Sequence, residues 1–136
     1  MQEWKRIAAI SLGGAIGGLL RALVSLAVGS WGKFPIDYSL INIVGSFLLG
    51  VIQQTALRRT WPDWLIAGLG TGVMGGFTTF STFVEGTMHL FVDVPILGFV
   101  YILASGLGGP VAAWSGQWLI VAWSQRFERS AEEVSA

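Results

Sequence analysis

Cysteine is absent from this chain. That excludes a disulfide framework and any thiolate metal site. Histidine occurs once, and no paired carboxylates stand close together within the apolar segments. The acid–base and nucleophile–base pairs of most enzymes are therefore missing, and the chain does not read as an enzyme. Charge is scarce too: 12% of the 136 residues are Asp, Glu, Lys or Arg, against about 25% in soluble domains. The formal net charge is zero, so there is no basic footprint for nucleic acid. No linker, low-complexity tract or second domain interrupts the chain.

Apolar residues fill what charge leaves vacant. They make up 53% of the chain, and mean hydropathy is +0.65. Four apolar runs can be read, at about 7–28, 40–57, 64–92 and 94–121, followed by a polar, fraying tail over 122–136. A helix needs about 20 residues to cross a bilayer, so the second run is short and the third is long. The expected fold is one all-α membrane domain with four transmembrane helices. Pro35, Pro62 and Pro95 stand at or beside the run boundaries, where a missing N–H costs least. Trp4, Trp31, Trp61, Trp64 and Trp123 lie near run ends, as an aromatic belt requires. The first run follows Lys5 and Arg6 as a leader would, but it exceeds the roughly 7–15 residues of a signal-peptide core and is read as a retained span.

Glycine numbers 19, about twice its usual share of roughly 7%. Small residues recur at four-residue spacing: Gly13 and Gly17, Gly14 and Gly18, Gly68, Gly72 and Gly76, and the stripe Ala104, Gly108, Ala112 and Gly116. Such stripes let helix backbones approach closely in lipid. Gly70 to Gly75 also fits a G-x-G-x-x-G nucleotide pattern, but no strand precedes it and no βαβ unit surrounds it.

Polar residues inside the apolar runs are the informative ones, because burying them in lipid is costly. Arg21 stands two-thirds along the first run, as an anchor or at a pore. Asn42 lies near the start of the second, as interhelical glue or an anion contact. Glu85 and His89 are four residues apart and share a helix face. The densest cluster is GGFTTFSTFVEG, Gly75 to Gly86. Its glycine pair weakens a helix, and its hydroxyls compete for backbone hydrogen bonds. A third helix broken near Gly75–Thr79 follows, exposing backbone that is tolerated only inside protein or beside a cavity. Freed carbonyls suit a hard cation; freed N–H groups and hydroxyls suit an anion. Phe80 and Phe83 present neighbouring rings once the helix resumes, and ring edges are electropositive. Ordinary aromatic packing is the alternative for the same residues.

GGFTTFSTF closely resembles the signature of the fluoride channel family (Fluc, or CrcB). So do Gly18-Leu19-Leu20-Arg21 and the placing of Asn42 with Gly45. The likeness covers nearly the whole chain. It implies a fluoride-selective channel in the bacterial cell membrane, passing fluoride outward without coupling. It also implies an antiparallel, dual-topology dimer with two pores. Asn42, Phe80, Ser81, Thr82 and Phe83 match pore positions, and Arg21 matches a vestibule arginine. A structural sodium ion on the two-fold axis would be held by backbone carbonyls matching Gly75 and Thr78. One departure stands out: Pro110 falls where the family's fourth helix carries a hydroxyl, so a pore lined by this helix is altered or impaired.

Two rivals come from other classes. A small proton-coupled multidrug exporter needs a first-helix glutamate, which this chain lacks. A pure assembly protein has no need of the Thr/Phe stretch. Charge placement adds a last expectation. Lys5, Arg6, Arg58, Arg59, Arg126 and Arg129 fall on one side and Lys33 alone on the other. That bias favours one orientation, with both termini cytoplasmic. It favours a heterodimer with a related chain of opposite bias over a homodimer.

Overall fold

The computed structural model describes residues 2–30 and 32–135, with side chains described for 3–30 and 32–127. Trp31, and the side chain of Arg129, lie outside the described residues. The architecture is almost wholly helical. α1 is Gln2–Val28 and α2 is Ile36–Arg58. α3, over 63–77, joins an α-turn at Asp63–Ile66, a π-helix at Ala67–Met74 and a last turn at Gly75–Phe77. α4 is Ser81–Asp93 and α5 is Pro95–Ser135.

α1, α2 and α5 are each long and apolar enough to cross a membrane unaided. The third run is split. α3 and α4 are separately too short to cross. α5 does not stop near Val121, where the apolar run ends; it stays helical to Ser135 and passes through Pro110 without interruption. α1 ends where Gly29 adopts φ 64°, a conformation that suits glycine at a helix C-terminus. The Gly29 N–H returns to the Ser25 carbonyl at 2.9 Å.

Small residues draw the helices together in pairs. A Cβ on Gly13 would strike the Gly68 carbonyl, and one on Gly17 would strike that of Val73. α1 therefore lies with its backbone against α3, as the four-residue glycine spacing predicts. α2 and α5 meet in the same way, Gly50 against the Ala113 backbone and Gly116 against that of Phe47. Gly14, Gly18 and Gly75 differ, since a Cβ on any of them would meet nothing within 4 Å.

The two ends of the bundle differ in charge. Lys5 shares a cleft with Pro62, Asp63 and Trp64, and Arg59 shares one with Trp123 and Phe127. The start of α1, the 59–62 turn and the outer part of α5 therefore gather at one basic end. At the other end Lys33 pairs with Asp93 at 3.1 Å. That contact is half exposed and contributes about 1 kcal/mol at most.

Candidate functional site

The break between α3 and α4 is built by three residues. Thr78 leaves the helical path with ψ 158°. Its N–H and its hydroxyl both donate to the Met74 carbonyl, at 2.9 Å each, closing the last turn of α3. The next N–H, that of Thr79, does not return to Gly75. It donates instead to Asn42 Oδ1 of α2 at 2.8 Å, while Asn42 Nδ2 donates to the Thr79 carbonyl at 3.0 Å. One side-chain amide thus satisfies both backbone groups of the residue where the helix fails, as buried backbone requires. Asn42 is an interhelical bridge, and its second N–H is left for the cavity it also lines. Gly45, one turn on, gives Thr78 and the Phe77 ring room to approach: a Cβ there would overlap the Thr78 methyl.

Hydroxyls cluster where α4 begins. Thr82 Oγ1 donates to Thr79 Oγ1 at 3.0 Å, and Ser81 Oγ lies 3.3 Å from the same oxygen. Beside them the Phe80 and Phe83 rings sit 5.9 Å apart, tilted by 42°. Phe83 continues to Tyr101 of α5 at 5.3 Å, whereas Phe80 is 77% exposed. Thr79, Phe80 and Phe83 line a cavity of about 390 Å³ whose walls also include Asn42, Ser46 and Ser105. A second cavity of about 450 Å³ leads towards the basic end, past Gln53, Thr71 and Arg6. Leu49 and Gly70 line both, so the two adjoin.

The sequence-predicted residues separate into groups. Asn42, Phe80 and Phe83 share the cavity wall with Gly75 and Thr78. Ser81 and Thr82 join through the Thr79 hydroxyl. Arg21 is half-buried on α1, and its Nη1 reaches the Thr78 carbonyl at 3.4 Å. It is thereby tied to the break, not to the cavity lining. Glu85 and His89 form a loose contact of 3.9 Å with strongly exposed side chains, away from the cavity. Two contributors, Tyr101 and Ser105, escaped the sequence reading, and a third, Thr79, entered it only as a helix-weakening hydroxyl at the break. Thr79 is the hub of the hydroxyl cluster. Tyr101 is fully buried behind Phe83, and the Ser105 hydroxyl is buried without a partner. Nothing in one sequence distinguishes Tyr101 or Ser105 from other members of an apolar run.

The family described as CrcB-like protein, Camphor Resistance (CrcB), matches residues 8–117, which takes in every residue of the break and of the first cavity, and all of the second but Arg6. The chain belongs to the CrcB family. It is a multi-pass membrane protein of a family whose known members include ion channels. Fluoride-specific ion channel FluC 2 of Halalkalibacterium halodurans is 41% identical over 108 residues, covering 79% of this chain and 80% of the relative. FluC of Thermotoga maritima is 39% identical over 111 residues, 79% and 87% of the two chains. FluC 1 of Listeria monocytogenes is 41% identical over 118 residues, 81% and 92%.

Proposed function

We propose that the chain is a fluoride-selective channel of the bacterial cell membrane, passing the ion passively down its gradient and so lowering cytoplasmic fluoride. The observation that carries this reading is the broken helix, where Thr79, Ser46, Ser105, the Asn42 amide and the Phe80 and Phe83 rings line a single cavity. Fluoride is small and strongly hydrated, so entry needs many weak donors replacing its water. Ser81, Thr82, Asn42 and the edges of Phe80 and Phe83 supply them without a buried full charge. The relatives named as fluoride-specific channels support the same ion. The test is efflux from liposomes loaded with fluoride or with chloride. Fluoride should leave rapidly while chloride is retained; rapid chloride efflux overturns the proposal.

The pore is shared between two antiparallel chains on this reading. Gly14, Gly18 and Gly75 open on empty space, and Phe80 stands 77% exposed beside the cavity; a second copy of the fold would cover all four. The Gly75 and Thr78 carbonyls sit at the end of α3 where the chain leaves its helix. Two from each chain would give a sodium ion four oxygens, Arg21 sharing the Thr78 oxygen through its second lone pair.

Two observations favour a related chain as that second subunit. Five basic side chains, Lys5, Arg6, Arg58, Arg59 and Arg126, stand on the end opposite Lys33, a bias suited to one orientation. Pro110 has no N–H for the Gly106 carbonyl, and Gly106 and Gly109 line the cavity. This chain's own α5 therefore brings a bare acceptor to the cavity beside its one lining hydroxyl, that of Ser105. Among the relatives, some are named FluC 1 and others FluC 2. Single cysteines at Ser30 and Ser130 test the orientation. Labelling of each from one side only supports the pair of unlike chains, and labelling of each from both sides supports two copies of this one.

A further inference from the structure

An amphipathic cavity at the basic end lies apart from the break. It encloses about 410 Å³ and is lined by Thr55, Arg59, Trp61, Ile120, Trp123 and Phe127. Helix length creates it. α2 ends at Arg58 and the chain turns away through Pro62, while α5 runs on to Ser135. The outer part of α5 outruns its packing partner, and a wedge opens between that helix and the 59–62 turn.

Its depth follows from the helical rise. Thr55 stands thirteen residues beyond Asn42 (55 − 42) on α2, about 20 Å along the axis. Ile120 stands eleven beyond Gly109 (120 − 109) on α5, about 17 Å. Asn42 and Gly109 both line the break cavity. With the break at mid-membrane, the hydrocarbon boundary falls about 15 Å away. Ile120 then sits at that boundary, and Arg59 stands among the headgroups.

The lining is graded to match. The Trp123 and Phe127 rings lie 6.1 Å apart at 53° and, with Ile120, form an apolar wall. Thr55 Oγ1 donates to Val51 at 2.7 Å, and Ser124 Oγ to Val121 at 3.0 Å, so both hydroxyl protons serve their own helices. Arg59 is the cation of the site, and among the described residues no carboxylate pairs with it. The Trp61 and Trp123 side chains line the same cavity. We propose that this cavity binds an anionic phospholipid, its phosphate on Arg59 and its upper acyl chain against Ile120, Trp123 and Phe127. A guanidinium takes a phosphate in bidentate fashion. The other basic residues of this end raise the local concentration of anionic lipid. A zwitterionic lipid carries the same phosphate with an ammonium that those residues repel.

The test uses the purified full chain in detergent. Phosphatidylglycerol, phosphatidylcholine and inorganic phosphate are added separately, and retained adducts are read by native mass spectrometry beside the thermal midpoint. Phosphatidylglycerol should be retained and should raise the midpoint, with phosphatidylcholine and inorganic phosphate far less effective. Arg59→Gln should lower phosphatidylglycerol retention about fivefold, while Arg58→Gln, outside the cavity, leaves it unchanged. Equal retention of the two lipids overturns the proposal, as does unchanged retention in Arg59→Gln. An equal effect of inorganic phosphate would make this a simple anion site. Equal losses in both arginine variants would make it diffuse charge attraction. Loss of dimer in Arg59→Gln with lipid retention intact would assign the cavity to a second copy of the chain.

Discussion

α1 carries two glycine pairs one residue apart, and they have opposite fates. Gly13 and Gly17 lie on the α3 backbone so closely that a Cβ on either would overlap a carbonyl. Gly14 and Gly18, of the same spacing, have no atom within 4 Å of where a Cβ would stand. The first pair has found its partner within the chain. The second, like Gly75, has open space where its Cβ would stand, and on the proposed dimer a second chain would fill it. Small-residue spacing thus marks where a helix can approach another, and only the structure tells which approaches one chain completes.

Gly17→Leu should give the largest effect. Its Cβ has nowhere to go between the Val73 carbonyl and the Phe77 N–H, so about 3 kcal/mol of stability should be lost from a total of only about 5–15. Thermal unfolding in detergent reads this directly. Gly18→Leu should leave the chain's own unfolding nearly unchanged and weaken the dimer about tenfold, seen as monomer in mass photometry. Equal unfolding losses in the two variants would erase the distinction between the faces. Phe80→Ile probes the open side again. Because that ring is 77% exposed, the midpoint should hold while fluoride efflux falls about tenfold; a parallel fall in both would make the ring packing. Exchanging sodium for N-methylglucamine should be the mildest perturbation. It should lower the dimer's midpoint by a few degrees, about 1 kcal/mol, and leave the Gly18→Leu monomer unmoved.

How much of this was legible follows from the range of each interaction. The apolar runs gave the spans, because length and polarity are local. The break was legible too, since a glycine pair followed by four hydroxyls within five residues argues against helix on local grounds. Its position shifted. Gly75 to Phe77 still wind helically and the path fails over 78–80, because Thr78 closes the turn with two bonds to Met74. The Asn42–Thr79 bridge joins residues 37 apart, and no local pattern specifies that pairing. The polarity of 122–135 marked the end of the apolar run and not of the helix: Glu, Arg, Gln and Ala there are good helix formers in water.

The π-helical stretch Ala67–Met74 bears on how this chain tolerates length changes. A π turn holds more residues than an α turn, and it commonly arises as a residue absorbed into an ordinary helix. Deleting one residue between 67 and 74 would let the stretch relax to α winding, so the protein would still thread the bilayer. Such a deletion removes the residue that the wide turn had absorbed, so the segment beyond it keeps close to its original facing and Thr79 still meets Asn42. A residue added to an already widened stretch has no such reserve: each α-helical residue turns the chain by about 100°, and an insertion there would carry Thr79 away from Asn42. Length changes in this segment are therefore asymmetric in their rotational cost, and a hydropathy profile would not register the difference.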